Sequence, residues 1–214
     1  MSRADQNIEQ TSGRALKKIW RAAEIEFAEK GFEGASMKAL AIRSEVSQSL
    51  LHYHFGSKDK LYEAVIRERS RLINRDRLER LQFVDLSGPH ALQQVFEALF
   101  TPAMGPAGGG KSYARIFAGL IAGNERDQAL VREYYDPTAR EFVKAIQTSL
   151  ANSTRLEAAQ VYQFALGVLV SVISKEGRAE RLVDENHAPK DVASLVQEIT
   201  KFVLGGAKAI VKKK

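Results

Sequence analysis

Apolar residues recur three and four positions apart along nearly the whole chain, and no stretch alternates apolar and polar residues as a half-buried strand does. Leu16, Ile19, Trp20, Ala23 and Phe27 make one such stripe; Leu92, Val95, Phe96, Leu99 and Phe100 make another. Tyr113, Ile116, Phe117, Leu120 and Ile121 follow, then Phe142, Val143, Ile146 and Leu150. The pattern predicts an all-α protein of about nine helices. Punctuation residues suggest where they begin and end. Thr11 or Ser12 is a candidate cap for the first helix and Gly31 its stop; Ser36 and Ser57 are candidate N-caps. Asp136-Pro137 opens another helix, with proline at its first position. The last helix is expected to start near Pro189.

One segment says more than its period. Ser36 to Leu61, SMKALAIRSEVSQSLLHYHFGSKDKL, reads as two short helices joined by a tight turn, then the start of a third. The second, about Gln48 to Phe55, holds no Lys, Arg, Asp or Glu. Leu51 and Phe55 are four apart and can face a core, which turns Gln48, Ser49, His52 and Tyr53 outward, with His54 beside them. Such side chains can bond base edges and phosphates, and Lys58 next to Ser57 can add a phosphate contact. This is the layout of a helix-turn-helix reader, whose second helix enters the major groove of duplex DNA. The head would pack Leu16, Trp20, Ala23, Phe27, Phe32, Leu40, Ala41, Val46, Leu51 and Phe55.

Charge agrees with that reading without proving it. The chain carries 32 Lys and Arg against 26 Asp and Glu, a net +6. Residues 1–80 hold 16 against 12, a net of +4, and residues 81–214 hold 16 against 14, a net of +2. The absence of cysteine excludes disulfides and thiolate metal sites and fits a reducing cytosol. The polar start, MSRADQNIEQTSGR, has no secretory apolar segment, and the longest apolar run, Val161 to Ile173, is too short to span a bilayer. A cytoplasmic protein without a membrane partner is expected.

Residues 13–73 resemble the DNA-binding domain of the TetR family of bacterial transcription regulators. The positions carrying the resemblance are Ile19, Ala22, Ala23, Phe27, Gly31, Leu40, Ala41, Val46, Ser47, Leu51, His54, Phe55, Lys58 and Leu61. Two positions depart from the family pattern. Glu45 stands where the turn usually has glycine, and His52 falls where the phosphate-contacting tyrosine usually does, with Tyr53 next to it. The resemblance implies a three-helix head at 13–73 (motif about 36–55) on a larger helical body at 74–214 that binds an effector and dimerises. It implies a ligand-responsive repressor that binds a palindromic operator as a homodimer. Ser36, Ser47, Gln48, Ser49, His52, Tyr53, His54 and Lys58 would meet the operator DNA. No enzymatic activity and no cofactor is expected.

The body offers candidates of its own. Around Leu156 to Ser174 one seam runs through Ala158, Tyr162, Ala165, Leu169 and Val172, and another through Val161, Phe164 and Val168. A helix apolar on two faces needs two covers, so the first seam, with Leu195 and Ile199 of the last helix, is assigned to a dimer interface. Phe96, Phe100, Tyr113, Phe117, Tyr134, Tyr135 and Phe142 are candidates to line a pocket for a hydrophobic or aromatic effector. Gly105 to Ser112 matches the phosphate-binding pattern GxxxxGK[ST], but the preceding LQQVFEALFTPAM has helical spacing where a P-loop needs a strand. A nucleotide-binding protein, or an all-α interaction protein without DNA binding, are the alternative readings. The histidines at 52, 54, 90 and 187 form no metal-ligand spacing.

Overall fold

The computed structural model describes residues 3–174, 178–183 and 190–211, with 3–12 and 180 as backbone only. The helices run α1 Arg3–Gly34, α2 Met37–Ser44, α3 Gln48–Phe55, α4 Lys58–Leu81, α5 Ala91–Met104, α6 Gly110–Ile121, α7 Glu125–Tyr134, α8 Asp136–Ser149, α9 Arg155–Ser174, α10 Arg178–Leu182 and α11 Val192–Ile210. A 3-10 turn, Pro106–Gly108, joins α5 to α6. No strand occurs among the described residues, as the period predicted.

Local chemistry explains most boundaries. The Ser36 hydroxyl accepts the Ala39 N–H at 3.1 Å, Ser47 accepts that of Leu50 at 3.1 Å, and Ser57 accepts that of Lys60 at 3.2 Å. Each satisfies an orphan donor of a first helical turn. The α1 backbone leaves helical geometry at Gly31, φ 65° and ψ 178°, where the sequence suggested a stop. It is already helical at Thr11 and Ser12, so neither caps it. Pro189 and His187 lie outside the described residues; α11 opens at Asp191, which accepts the Ser194 N–H at 2.8 Å.

The helix α7 was not singled out by period. Its first turn is Glu125, Arg126, Asp127 and Gln128, and only Asp127 and Leu130 are buried, so it shows no stripe. The Asn124 side chain starts it by accepting the Asp127 N–H at 3.3 Å. The five-residue α10 is too short to show a period.

The chain divides into two compact units, Met1–Glu68 and Arg69–Lys214, and the division falls inside α4. In the first, Ile19, Ala23, Phe27, Leu40, Leu51, Leu61 and Val65 are buried. Phe27 and Tyr62 meet edge-on at 4.9 Å, and Trp20 meets Phe55 edge-on at 5.8 Å. In the second, α5, α8, α9 and α11 share one apolar core that includes Phe96, Phe100, Phe142, Ile146, Leu169 and Val203. Each such side chain, fully buried, contributes about 1.5–3 kcal/mol.

The packing of α9 corrects the seam assignment. Ala158, Ala165 and Leu169 are wholly buried within the unit, as is Ile199 at 4% exposure, so none of them is free to meet a partner. Tyr162, Val172 and Leu195 are half-buried. The other seam is not turned outward as a whole either: Val161 is 1% exposed and Val168 half-buried, while Phe164 is 59% exposed and Phe202 of α11 is 71% exposed. At 20 residues α9 is longer than the apolar run that marks it, and by length and composition it could cross a membrane. Its inward seam is packed against α5, α6, α8 and α11.

Candidate nucleic-acid interface and body crevice

Leu51 is sealed and Phe55 half-buried, which anchors α3 by one face. The opposite face presents Gln48, Ser49, His52 and Tyr53, all exposed, Tyr53 at 83%. The exposed Ser47 and Ser36 both act as caps, each hydroxyl accepting one backbone N–H. His54 is half-buried, its ring between those of Tyr53 at 5.3 Å and Phe55 at 6.3 Å.

Two side chains gain definition beyond the sequence reading. The His52 Nδ1 lies 2.8 Å from the Gly56 carbonyl oxygen, which can only accept, so Nδ1 carries the proton. That fixes the ring and leaves Nε2 for an outside partner. Lys58 is differently occupied than a phosphate role suggests. Its ammonium donates to the carbonyls of Phe32 at 2.8 Å and Ala35 at 3.1 Å and lies 4.3 Å from the Phe32 ring centroid. It thus caps the C-terminal end of α1, where a cation opposes the helix dipole. A phosphate would have to share it with those carbonyls.

The turn between α2 and α3 contains the anticipated oddity. Glu45 takes the left-handed conformation, φ 55° and ψ 38°, and its N–H closes the end of α2 on the Ile42 carbonyl at 3.2 Å. Its carboxylate accepts from Lys18 at 2.5 Å, and that hydrogen bond and charge hold the carboxyl below its ordinary range.

In the body, the candidate pocket residues separate into two groups. Phe96, Phe100 and Phe142 are wholly buried members of the core, with Phe96 and Phe100 stacked at 6.0 Å. They fill space in that core. Tyr134 is half-buried, and its carbonyl accepts from Asn74 Nδ2 at 2.8 Å. Tyr113, Phe117 and Tyr135 do come together, around a narrow crevice completed by Ile73, Arg77, Ala103, Gly108, Ala114 and Ile173. The hydroxyls of Tyr113 and Tyr135 are 2.5 Å apart, and the Phe117 and Tyr135 rings lie 5.1 Å apart.

Arg77 is the residue that sequence reading missed. It lies in the charge-rich stretch 66–81, yet it is 1% exposed. Ser70, Ile73 and Asn74 are buried on the same side of α4. The signal was the spacing: Ile66, Ser70, Ile73 and Arg77 continue one helical line through the charged segment. Burial pushes the guanidinium below its ordinary value, while the phenols of Tyr162, Tyr135 and Tyr113 pull the other way. Burial likewise pushes the Tyr162 hydroxyl up.

The glycine-rich segment Gly105 to Ser112 follows a helix, α5, where a P-loop follows a strand. Its glycines serve packing. A Cβ on Gly108 would stand 1.9 Å from the Ala103 carbonyl oxygen, and Gly109 has φ 73° with Arg69 and Tyr113 close by. No group of three or more potential metal ligands occurs among the described residues.

Comparison with known proteins gives a consistent assignment. Residues 19–65 match the family model described as "Bacterial regulatory proteins, tetR family", and residues 94–206 match "Tetracyclin repressor-like, C-terminal domain". Over 82 residues the chain is 35% identical to the HTH-type transcriptional regulator UidR of Escherichia coli (strain K12), covering 37% of this chain. The match spans 42% of the length of UidR. Among solved structures, FadR from Bacillus subtilis in complex with stearoyl-CoA superposes with a TM-score of 0.67 at 12% identity, covering 89% of this chain and 98% of FadR. A TetR-like transcriptional regulator from Rhodococcus sp. RHA1 gives 0.59 at 20% identity, covering 90% and 96%. At such identities the likeness concerns the fold.

Proposed function

Because the chain belongs to the TetR family of bacterial regulatory proteins, we propose that it is a ligand-responsive transcriptional repressor binding a palindromic operator as a homodimer in the cytoplasm. The observation that carries this reading is α3: one face is anchored by Leu51, and the other presents Gln48, Ser49, His52 and Tyr53 with no formal charge among them. Gln48 suits an adenine edge, and Ser49 several bases. Tyr53 and the serines suit phosphates, which set register on the duplex. His52, with Nδ1 occupied, offers Nε2 to a base amine or, when protonated, to a phosphate.

The homodimer is supported by the outward face of α9 and α11. Phe164, Val168 and Phe202 lie there with Gly167, Gly205 and Gly206, around which a Cβ would meet nothing. Small residues let a second pair of helices approach closely, and two copies would form a four-helix bundle. A palindrome reader needs two heads related by a two-fold axis.

The effector site is assigned to the body crevice of Tyr113, Phe117 and Tyr135. The B. subtilis FadR structure contains stearoyl-CoA. The crevice encloses a cavity of only about 10 Å³, far below the roughly 300–1,000 Å³ of drug-sized pockets, so a small effector is favoured over a long acyl chain. Because α4 begins at Lys58 in one unit and carries Arg77 in the other, it is the element through which an effector would bias DNA binding.

A mobility-shift titration with duplex DNA from upstream of the protein's own gene tests the reading. The wild type should give a discrete shift, and Tyr53→Ala should weaken it at least tenfold with the circular dichroism spectrum unchanged. A Tyr53→Ala protein that binds like wild type removes Tyr53 from the interface. A wild type that shifts no fragment favours an interaction protein without DNA binding.

A further inference from the structure

Arg77 has 1% exposure, yet no carboxylate answers its charge among the described residues. Its Nε donates to the Leu99 carbonyl at 3.0 Å and its Nη1 to Asn74 Oδ1 at 3.5 Å, both neutral acceptors. Its Nη2 is buried and has no hydrogen-bond partner in the protein. A guanidinium does not shed its proton in a protein, so the charge stays. An uncompensated buried charge is costly, and a buried polar atom without a partner is rare in a native structure. The crevice beside it is otherwise apolar or aromatic: Ile73, Ala103, Ala114, Phe117 and Ile173, with the Tyr113 and Tyr135 hydroxyls as the other polar side-chain groups.

We propose that this crevice binds a small aromatic carboxylate, whose carboxylate pairs with Arg77 and whose ring lies against Tyr113, Phe117 and Tyr135. The proposal rests on reading the body as the effector-binding unit and names the class of effector. One orphan guanidinium nitrogen matches a single negative charge, and a planar fork matches a carboxylate. A neutral ligand of the same shape would leave Nη2 as it is. Size sets the rest. Only about 10 Å³ of the crevice admits the centre of a water molecule, so the walls must part when the ring enters. The ligand is therefore one ring with a short acidic side chain, and its entry displaces side chains on α4 and α6. The Arg77 charge would then be compensated only in the liganded form, which gives the ligand a preference for that form.

The full-length protein is titrated calorimetrically with benzoate and phenylacetate, and with their uncharged counterparts benzamide and phenylacetamide. At least one acid should bind saturably and at least tenfold more tightly than its amide. Arg77→Gln should abolish that preference, and Arg77→Lys should keep part of it. Equal binding of acid and amide overturns the proposal, as does the absence of saturable binding by either acid up to about 10 mM, beyond which affinity is under roughly 3 kcal/mol. The wild-type comparison decides this even if Arg77→Gln does not fold. The same samples are assayed with operator DNA. Acid preference without operator binding keeps the anion site and overturns the repressor reading. Operator binding without acid preference overturns the anion site alone.

Discussion

Glu45 holds a backbone conformation that glycine adopts without a steric penalty, and in return its side chain pairs with Lys18 across the head. The two effects respond differently to pH. The pair holds the carboxyl of the folded protein below its ordinary range, so its stabilisation is present at neutral pH and is lost as pH falls through that lowered value. The backbone strain is independent of pH. Glu45→Gly should therefore raise the thermal midpoint by about 2 °C, and by more below about pH 4 than at pH 7. Melting curves at the two pH values check it; a benefit that shrinks on acidification contradicts the account. Gly108 is a sharper case, because the atom its Cβ would strike is backbone and cannot rotate away. Gly108→Ala should cost about 1–3 kcal/mol in urea unfolding, and a neutral result would mean that the α5–α6 turn shifts freely. At this scale the sequence was informative where chemistry is local. Ser36 and Ser57 announced their caps, and Glu45 announced an unusual turn. Arg77 did not announce its burial, since one charge among twelve others on α4 looks solvated until the packing of the helix is known.

At the scale of elements, α3 and the start of α2 were legible because a capping serine begins each. The helix α7 was not, because a mostly exposed helix shows no apolar stripe. The two seams of α9 were both visible, but their order was not. Either could have faced the core, and only the positions of α5, α8 and α11 decide between them. The small Ala158 and Ala165 went inward because helices pack closely there, leaving the bulkier Phe164 outside. That outcome moves the expected dimer interface to Phe164, Val168 and Phe202. Phe164→Asp should convert a dimer into a folded monomer. By two-fold symmetry it places the change twice in one interface, for a loss of roughly 3 kcal/mol or more. Sedimentation equilibrium measures this; an undisturbed dimer would put the interface elsewhere.

At the scale of the molecule, the two units have separate tasks in this account, and α4 belongs to both. The sequence suggests a boundary near residue 73, since the head resembles a known family densely and the body does so too little to be read by eye. The sequence suggests no more about the effector than a hydrophobic or aromatic character. The charge that would orient it, on Arg77, emerged with the fold. The central claim is that α3 reads duplex DNA and that two copies do so together. Selection of binding sites from random duplex DNA, followed by sequencing, tests it most directly. The account predicts enrichment of an inverted repeat with half-sites about one helical turn apart, or a small multiple of that, and its loss when Tyr53→Ala protein is used. No enrichment over the input pool, or a single asymmetric site retained by Tyr53→Ala, would contradict it.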